Sequence, residues 1–240
     1  MPTTSPTGWN LIFSDNFPTN VAAGSWPGSA YSDGVWANGP YVAKWIGYWP
    51  GWTDTSGAGT YETSNISVSD SCLTLHLSTV NGVVQVAAPI PVLPGGTPGS
   101  GQIYGMYSVC FRADAGLNGF KTAWLLWPDS NVASQGEIDF PEGDLAETIG
   151  AYDHTVGDQP VNAFAANTGV TYTSWHVATI EWTAAGVTFI LDGKVIGTST
   201  MSPSVPMHWV LQTETDGGSP AASVAGNVYI DWVAVYAPAS

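Results

Sequence analysis

The chain has 240 residues, a length that fits one domain with a substantial core. Nineteen acidic residues against four basic ones give a formal net charge of -15, so the chain has no basic patch for phosphate. We therefore do not expect nucleic acid or an anionic membrane surface as a partner, and we expect strongly anionic polysaccharides to be repelled. A neutral glycan would be indifferent to this charge, and the twelve Trp and ten Tyr residues offer flat faces that stack on sugar rings.

The N-terminal residues 1–8 have neither an apolar run nor a Lys or Arg, so they are not a secretory signal. We expect them to form a disordered or extended segment that precedes a single domain over residues 9–237. No stretch of the sequence is long and apolar enough to span a membrane. No coiled-coil pattern favours assembly, and we expect a monomer.

Residues 26–59 are rich in Gly, Pro, Tyr and Ser and show little apolar alternation, which indicates long loops. Aromatic side chains are hard to bury in such loops. Two interpretations of the Trp residues in this segment therefore remain open, the lining of a cleft and packing within the loops. These residues are Trp36, Trp45, Trp49 and Trp52.

Apolar alternation predicts β-strands over much of the rest of the chain. It is clear from Ile66 to Leu77 and from Val177 to Trp182, and Asp192-Gly193 is typical of a hairpin turn. We find no amphipathic helical stretch, and 28 Gly and 17 Pro residues favour many turns. The pattern predicts an all-β sandwich, with Trp182 and Trp232 in its core.

Three carboxylates lie close together in the segment Glu137-Ile138-Asp139-Phe140-Pro141-Glu142. Side chains alternate along a strand, so Glu137 and Asp139 should share one face while the apolar residues between them pack on the other. Glu142 would then point away from the first two carboxylates. However, Pro141 lacks a backbone donor and is typical of bulges. One bulged residue would return Glu142 to the face of the other two.

A row of three carboxylates suits acid–base chemistry, since nearby like charges raise the pKa of at least one of them. A glycosidase that retains configuration uses a carboxylate nucleophile and a carboxylic acid about 5 to 5.5 Å apart. Glu137 and Glu142 are the candidate pair, and Asp139 between them would orient and tune the nucleophile. Two other interpretations remain open, a calcium site that includes Asp144 and a solvated acidic face.

At this motif the sequence resembles glycoside hydrolase family 16, in the branch that includes the β-1,3-glucanases called laminarinases and has the pattern Glu-x-Asp-x-x-Glu. The resemblance spans residues 9–236 and implies a concanavalin A-like β-jelly-roll sandwich with a concave substrate cleft. The other segments that carry it are Tyr104–Arg112, Gly119–Trp127, Trp175–Thr183, Phe189–Lys194 and Tyr229–Tyr236.

Three stretches along the expected cleft differ from the family pattern. Phe120-Lys121 stands where Trp-Pro is frequent, and Phe140-Pro141 stands where Ile-Met is common. Leu211-Gln212-Thr213-Glu214 replaces a stretch that usually carries Leu-Asn. The resemblance therefore implies the type of reaction more firmly than it implies the sugar.

The resemblance also implies residues that bind the substrate. Trp124 matches a floor position beside the catalytic pair, and His154 matches a histidine that hydrogen-bonds the sugar or the acid. Trp127 precedes the acidic strand closely enough to lie on its neighbour. We place Trp127, Gln212 and Trp49 among the substrate-binding residues as well.

The resemblance also has implications for a metal site at Asp231 and for the two cysteines. Members of the family often bind a structural calcium ion through an aspartate of the last strand, which implies a calcium site at Asp231. Catalysis itself needs no cofactor. Cys72 and Cys110 would lie on neighbouring strands of the family fold, so a disulfide and two free thiols both remain open.

Together these features predict a secreted, retaining endo-glycosidase that hydrolyses a neutral β-linked polysaccharide, with a β-1,3-glucan as the first choice. Two alternatives remain open, a non-catalytic glycan-binding module and a transglycosylase or hydrolase acting on another glycan such as a galactan. A lyase of uronic glycans is disfavoured, because four basic residues leave little to neutralise a substrate carboxylate.

Overall fold

A computed structural model describes residues 1–26 and 39–239 of the chain. Within these residues the regular structure is β-strand apart from two single-turn 3-10 helices, Thr63–Asn65 and Ala133–Gln135. The strands, in chain order, are β1 (Trp9–Asp15), β2 (Trp45–Gly47), β3 (Gly59–Tyr61), β4 (Ile66–Ser69), β5 (Cys72–Val80), β6 (Val83–Val86), β7 (Pro89–Pro91), β8 (Gly105–Ala113), β9 (Phe120–Pro128), β10 (Ile138–Asp144), β11 (Thr148–Thr155), β12 (Asp158–Thr171), β13 (His176–Thr183), β14 (Gly186–Leu191), β15 (Lys194–Ser199), β16 (Met207–Thr215) and β17 (Gly226–Pro238).

Most of these strands belong to two sheets that pack face to face. The larger has the order β15-β14-β13-β8-β17-β5-β6-β3, with β1 paired to β17 and β4 paired to β5. The smaller has five strands in the order β12-β11-β10-β9-β16, and β2 pairs with β7 separately. Apolar side chains from both sheets meet in one buried cluster. The predicted all-β jelly-roll sandwich is confirmed.

The five-stranded sheet has one face in the core, and the pairing of β9 with β10 shows which side chains lie on the other. Asp139 pairs with Leu125, and Glu142 pairs with Ala123. Directly opposite residues of an antiparallel pair share a face, so Ala123 and Leu125 lie beside the carboxylates. Alternation along β9 then sends Trp124, which lies between them, into the core.

The prediction that Trp124 lies on the floor of the cleft is therefore wrong. Its side chain is 0% exposed, and its ring packs edge-on against Phe111 with 5.2 Å between the ring centroids. Trp127 lies three residues after Trp124 on β9, so its side chain points to the opposite face of the sheet. It is partly exposed there.

The tryptophans of the aromatic-rich loops have different environments. Trp45 is 0% exposed, and its indole Nε1–H donates to a carboxylate oxygen of Asp15 at 3.0 Å. It begins β2 and packs in the main core, so it does not line a cleft. Trp49 is partly exposed and Trp52 is 49% exposed. Trp36 lies outside the described residues.

Trp182 and Trp232 are both buried, but on opposite faces of the ten-stranded sheet. Trp182 lies in the core between the sheets, as predicted. A bulge in β17 between Ile230 and Trp232 changes the orientation of the chain at this point. Trp232 therefore lies in a second, smaller apolar cluster, together with Met106, Ala234 and Tyr236.

Cys72 and Cys110 are free thiols, and strand order explains why. Cys72 begins β5 and Cys110 lies in β8, but the last strand, β17, runs between these two strands. Two inter-strand spacings separate the cysteine Cα atoms by roughly 9–10 Å. This exceeds the limit of about 7 Å for a disulfide, so the expectation that the two segments are neighbouring strands is wrong.

The N-terminal residues 1–8 form no strand but are tied to the sandwich. Ser5 Oγ accepts a hydrogen bond from the backbone N–H of Leu11 at 2.8 Å, and the carbonyl of Gly8 accepts one from Ala239 at 2.9 Å. The division into a terminal segment and a single domain over residues 9–237 remains a prediction. In the described part of the chain, no helix has the length and apolar character needed to cross a membrane.

We expect Trp124→Ala to lower the free energy of unfolding by about 3–5 kcal/mol, because it removes a buried ring and leaves a cavity. Trp127→Ala, the same substitution at a partly exposed position of the same strand, should cost about 1 kcal/mol or less. Denaturant-induced unfolding of the two variants measures both values. Equal losses would contradict the opposite orientations of the two rings.

We expect unfolded, unreduced protein to react with a thiol reagent at both cysteines. A disulfide would stabilise the fold by about 2–4 kcal/mol, so its reduction would lower the melting temperature by several degrees. The melting temperature of this protein should be the same with and without dithiothreitol. A fall on reduction would show that the cysteines are bridged.

Candidate active site

A bulge in β10 brings three carboxylates to one face of the five-stranded sheet. Between the pairs formed by Asp139 and Glu142, the register shifts against both neighbouring strands. Three residue steps on β10 correspond to two on β9, which is one extra residue at Phe140-Pro141, as the sequence predicts. Glu137 directly precedes the strand, and the Phe140-Pro141 peptide bond is cis. The carboxylates therefore line the outer face, while Phe140 remains in the core.

A ring of hydrogen bonds links two of these carboxylates to the hairpin of β11 and β12. Nε2 of His154 lies 3.1 Å from Oδ2 of Asp139, and Nδ1 of His154 lies 2.7 Å from the carbonyl oxygen of Gln159. The side chain of Gln159 returns to β10, where its Nε2–H donates to Oε2 of Glu137 at 2.6 Å. The backbone N–H of His154 donates to the carbonyl oxygen of Glu137 at 2.9 Å and closes the ring.

The partners of His154 determine where its protons lie. The carbonyl oxygen of Gln159 can only accept, so Nδ1 carries a hydrogen, and a second proton must lie between Nε2 and the carboxyl of Asp139. Burial lowers the pKa of His154, but the hydrogen bond and negative charge of Asp139 outweigh it and raise this pKa to about 9. Burial raises the pKa of Asp139 well above its ordinary value, and the hydrogen bond from His154 opposes this. Near neutral pH the pair therefore shares one proton.

Glu142, at the other end of the row, contacts a lysine. Nζ of Lys121 lies 3.7 Å from Oε1 of Glu142 and 3.3 Å from Oε2 of Glu214, a buried residue of β16. Burial raises the pKa of Glu142, the ammonium of Lys121 lowers it, and Glu137 raises it further, so that the net shift is upward. Glu142 therefore keeps its proton to a higher pH than an ordinary glutamate.

A groove of about 450 Å³ extends along the sheet from Glu137. Trp127 and Gln212 line it, as predicted for substrate-binding residues, although their role in binding stays a prediction. The opposite wall contains Tyr48 and Trp52 rather than Trp49. The other lining residues are Thr53, Asp54, Thr55, Tyr61, Leu125, Asn131 and Gln159.

Two buried carboxylates fasten the wall that carries Trp52. Asp54, which is 4% exposed, accepts hydrogen bonds from the backbone N–H and hydroxyl of Thr215 at 2.8 and 2.6 Å. Glu214, which is 1% exposed, accepts from the backbone N–H and hydroxyl of Thr55 at 3.1 and 2.7 Å. Because both contacts join this loop to β16, the loop forms a fixed side of the groove. We call residues 52–59 the groove wall.

The structure separates the other interpretations of the acidic strand. Asp139 is 1% exposed, so the carboxylates are not a solvated face. The carboxylate of Asp144 is engaged locally, since it accepts from the backbone N–H groups of Ala146 at 2.7 Å and Gly119 at 3.3 Å. Within the described part of the chain, the group of side chains that could hold a metal ion is Glu137, Asp139 and His154. Asp231 is exposed and lies outside this group, and a calcium ion there remains a prediction.

Several groove residues were not predicted from the sequence. The sequence signal for Tyr48 is the general abundance of aromatic residues in the loop segment 26–59, which does not single it out. Asp54 and Glu214 carry no motif, since their partners are about 160 residues apart in the chain. Gln159 belongs to a hairpin whose shape is not evident from its residues.

Comparisons with known proteins agree with this geometry. The family model described as "Glycosyl hydrolases family 16" matches residues 53–234. A comparison with curated proteins finds no match.

Three solved structures illustrate the likeness of the fold. LamAcat from Zobellia galactanivorans has a TM-score of 0.70 at 20% identity, over 95% of this chain and 97% of that one. SCLam, named as a non-specific endo-β-1,3(4)-glucanase, has a TM-score of 0.71 at 18% identity, over 100% of this chain and 95% of that one. A GlcNAcα1-4Gal-releasing endo-β-galactosidase from Clostridium perfringens has a TM-score of 0.70 at 19% identity, over 99% of this chain and 65% of that one.

The matched segment comprises well over half of the chain. It contains the bulged strand β10, the residues that contact its carboxylates and most of the groove. The chain therefore belongs to glycosyl hydrolases family 16.

Proposed function

We propose that this glycoside hydrolase is a secreted, retaining endo-glycosidase that acts on a neutral β-linked polysaccharide, with a β-1,3-glucan as its first substrate. The observation that carries the proposal is the row of carboxylates on the bulged strand. Glu137 accepts a hydrogen bond, Asp139 shares a proton with His154, and Glu142 has a raised pKa. Carboxyl groups in different protonation states on one strand are what a double displacement needs.

The first step transfers the sugar to the enzyme. Glu142 donates its proton to the glycosidic oxygen while the carboxylate of Glu137 attacks the anomeric carbon. The bond from this carbon to the leaving oxygen breaks, and a covalent glycosyl-enzyme forms. Asp139, held by His154, keeps the side chain of Glu137 oriented.

The second step releases the sugar. Glu142, now ionised, takes a proton from a water molecule whose oxygen attacks the anomeric carbon, and Glu137 leaves as a carboxylate. Each displacement inverts the anomeric centre, so the two together retain its configuration. Replacement of the water by a sugar hydroxyl would give transglycosylation by the same residues.

Charge and groove composition support a neutral glycan. The net charge of -15 disfavours anionic polymers. Tyr48, Trp52 and Trp127 give the groove apolar faces for sugar rings, while Asn131 and Gln212 give it amide groups for hydroxyls. The names of the similar structures, an endo-β-1,3(4)-glucanase and an endo-β-galactosidase, support cleavage within a β-linked chain. A galactan is accordingly the second candidate.

We expect the protein to release reducing ends from laminarin, or from another neutral member of a panel with lichenan, agarose and xyloglucan, and not from alginate, the anionic member of the panel. Glu137→Gln should lower turnover by about 10⁴-fold or more, because it removes the nucleophile, and should leave binding of the glycan intact. Glu147→Gln makes the same chemical change at an exposed position and should keep full activity.

Two results would count against this proposal. Undiminished hydrolysis by Glu137→Gln would contradict its role as nucleophile. Binding without hydrolysis by the wild type over the whole panel would favour a glycan-binding module. Analysis of the products by NMR shows whether the anomeric configuration is retained.

We expect Lys121→Met to move the basic limb of the pH–rate profile upward. This limb reports loss of the proton from Glu142, and the ammonium of Lys121 lowers the pKa of Glu142. Without the lysine, the acid would keep its proton to a higher pH. Lys194→Met, the same substitution at an exposed position of β15, is the control and should leave the profile unchanged. A downward movement in Lys121→Met would contradict the assignment of Glu142 as the acid.

A further inference from the structure

We propose that Gln159 is a positioning residue that orients the nucleophile Glu137 through a hydrogen bond to one of its two carboxylate oxygens. This inference rests on the proposed function and extends it to a residue in a different strand. The observations that carry it are an irregularity of β12, the contact that this irregularity creates, and the chemistry of an amide at that place.

The irregularity is a bulge of three residues in β12. Thr155 of β11 pairs with Asp158, and the preceding residue, His154, pairs with Asn162. No residue of β11 lies opposite Gln159, Pro160 and Val161, so these three leave the ladder. Bulges next to active sites redirect a side chain away from the alternation of the strand.

The redirected side chain is that of Gln159. Its Nε2–H donates to Oε2 of Glu137 at 2.6 Å, and its main-chain carbonyl accepts from Nδ1 of His154 at 2.7 Å. The following side chains of the bulge, Pro160 and Val161, are exposed. Within this bulge, therefore, Gln159 is the residue whose side chain reaches the carboxylate row.

An amide has properties that suit a partner of a nucleophile. It donates a hydrogen bond to the ionised carboxylate but has no proton to lose, so the contact does not depend on pH in the working range. It also occupies Oε2 of Glu137, which leaves Oε1 to approach the anomeric carbon. A lysine in the same place would form a stronger ion pair, which must be disrupted as the carboxylate becomes an ester.

The surroundings of Glu137 make this contact important. The other carboxyl groups of the row, Asp139 and Glu142, lie near it on β10, and Asp54 lines the same groove. Positive charge comes to the row from His154 on β11, which shares its proton with Asp139, and from Lys121 on β9, whose ammonium lies 3.7 Å from Glu142. The residues of β9 that line the groove, Leu125 and Trp127, do not titrate. The amide of Gln159 donates directly to the carboxylate of the nucleophile.

The test compares three variants. Gln159→Leu removes the donor and keeps a side chain of similar size, while Gln159→Glu keeps the shape and replaces the donor with an acceptor. Val161→Ala is the matched control, since it changes an exposed side chain of the same bulge. Melting temperatures confirm that each variant is folded before its kinetics are measured.

We expect Gln159→Leu to lower kcat by about 10- to 100-fold, as for the loss of a hydrogen bond to a charged group, with KM within about threefold of the wild type. The loss should therefore fall on kcat and not on KM, because the contact orients the attacking carboxylate and does not hold the sugar. Gln159→Glu should show a larger fall in kcat, and Val161→Ala should show none. A wild-type kcat, or a loss of activity that appears only as a higher KM, would overturn the proposal.

A measurement that needs no turnover separates this inference from the proposed function. Protein labelled with ¹³C at the glutamate carboxyl groups gives a carboxyl resonance for Glu137, assigned through Glu137→Gln. At one fixed pH its chemical shift should differ between Gln159→Leu and the wild type, whether or not any glycan is hydrolysed. A changed chemical shift in a protein without activity would reject the function and keep the contact, whereas normal turnover with an unchanged chemical shift would reject the contact alone.

Discussion

The single extra residue in β10 is the constraint on which the rest of the site depends. Without it, alternation would turn Glu142 into the apolar core, where an unpaired carboxylate costs several kcal/mol, on the order of the fold's own stability. With it, Ile138 and Phe140 stay in the core while the acidic side chains share the outer face. One short strand therefore contributes apolar side chains to the core and presents the carboxylates on its other face.

The row of carboxylates is stable because each member has a different kind of partner. Asp139, which is 1% exposed, would be costly as a lone charge, and the proton it shares with His154 removes that cost. Glu142 has the ammonium of Lys121 at 3.7 Å, and Glu137 has a neutral amide. The chain has four basic residues in all, and one of them, Lys121, lies beside the acid Glu142.

The sequence was informative where structure is local and misleading where it depends on distant pairing. Pro141 within an alternating acidic pattern was enough to predict the bulge, because proline and alternation are both local constraints. A matching position predicts the wrong face for Trp124, because it does not contain the strand register that sets the orientation of the side chain. The segments of Cys72 and Cys110 carry no local signal that the last strand inserts between their strands. The bulge that redirects Gln159 likewise has no residue signature.

The contacts of Glu214 join the groove wall to the acid. Lys121 lies closer to Glu214, at 3.3 Å, than to Glu142, so part of its charge is balanced before it acts on the acid. Glu214 is in turn fixed by the backbone and hydroxyl of Thr55 and by the hydroxyl of Tyr61 at 2.9 Å. If the side chain of Glu214 lost these contacts and turned away, Lys121 would act on Glu142 alone and the pKa of the acid would fall. The rigidity of the wall therefore helps to set the proton affinity of Glu142 as well as the shape of the groove.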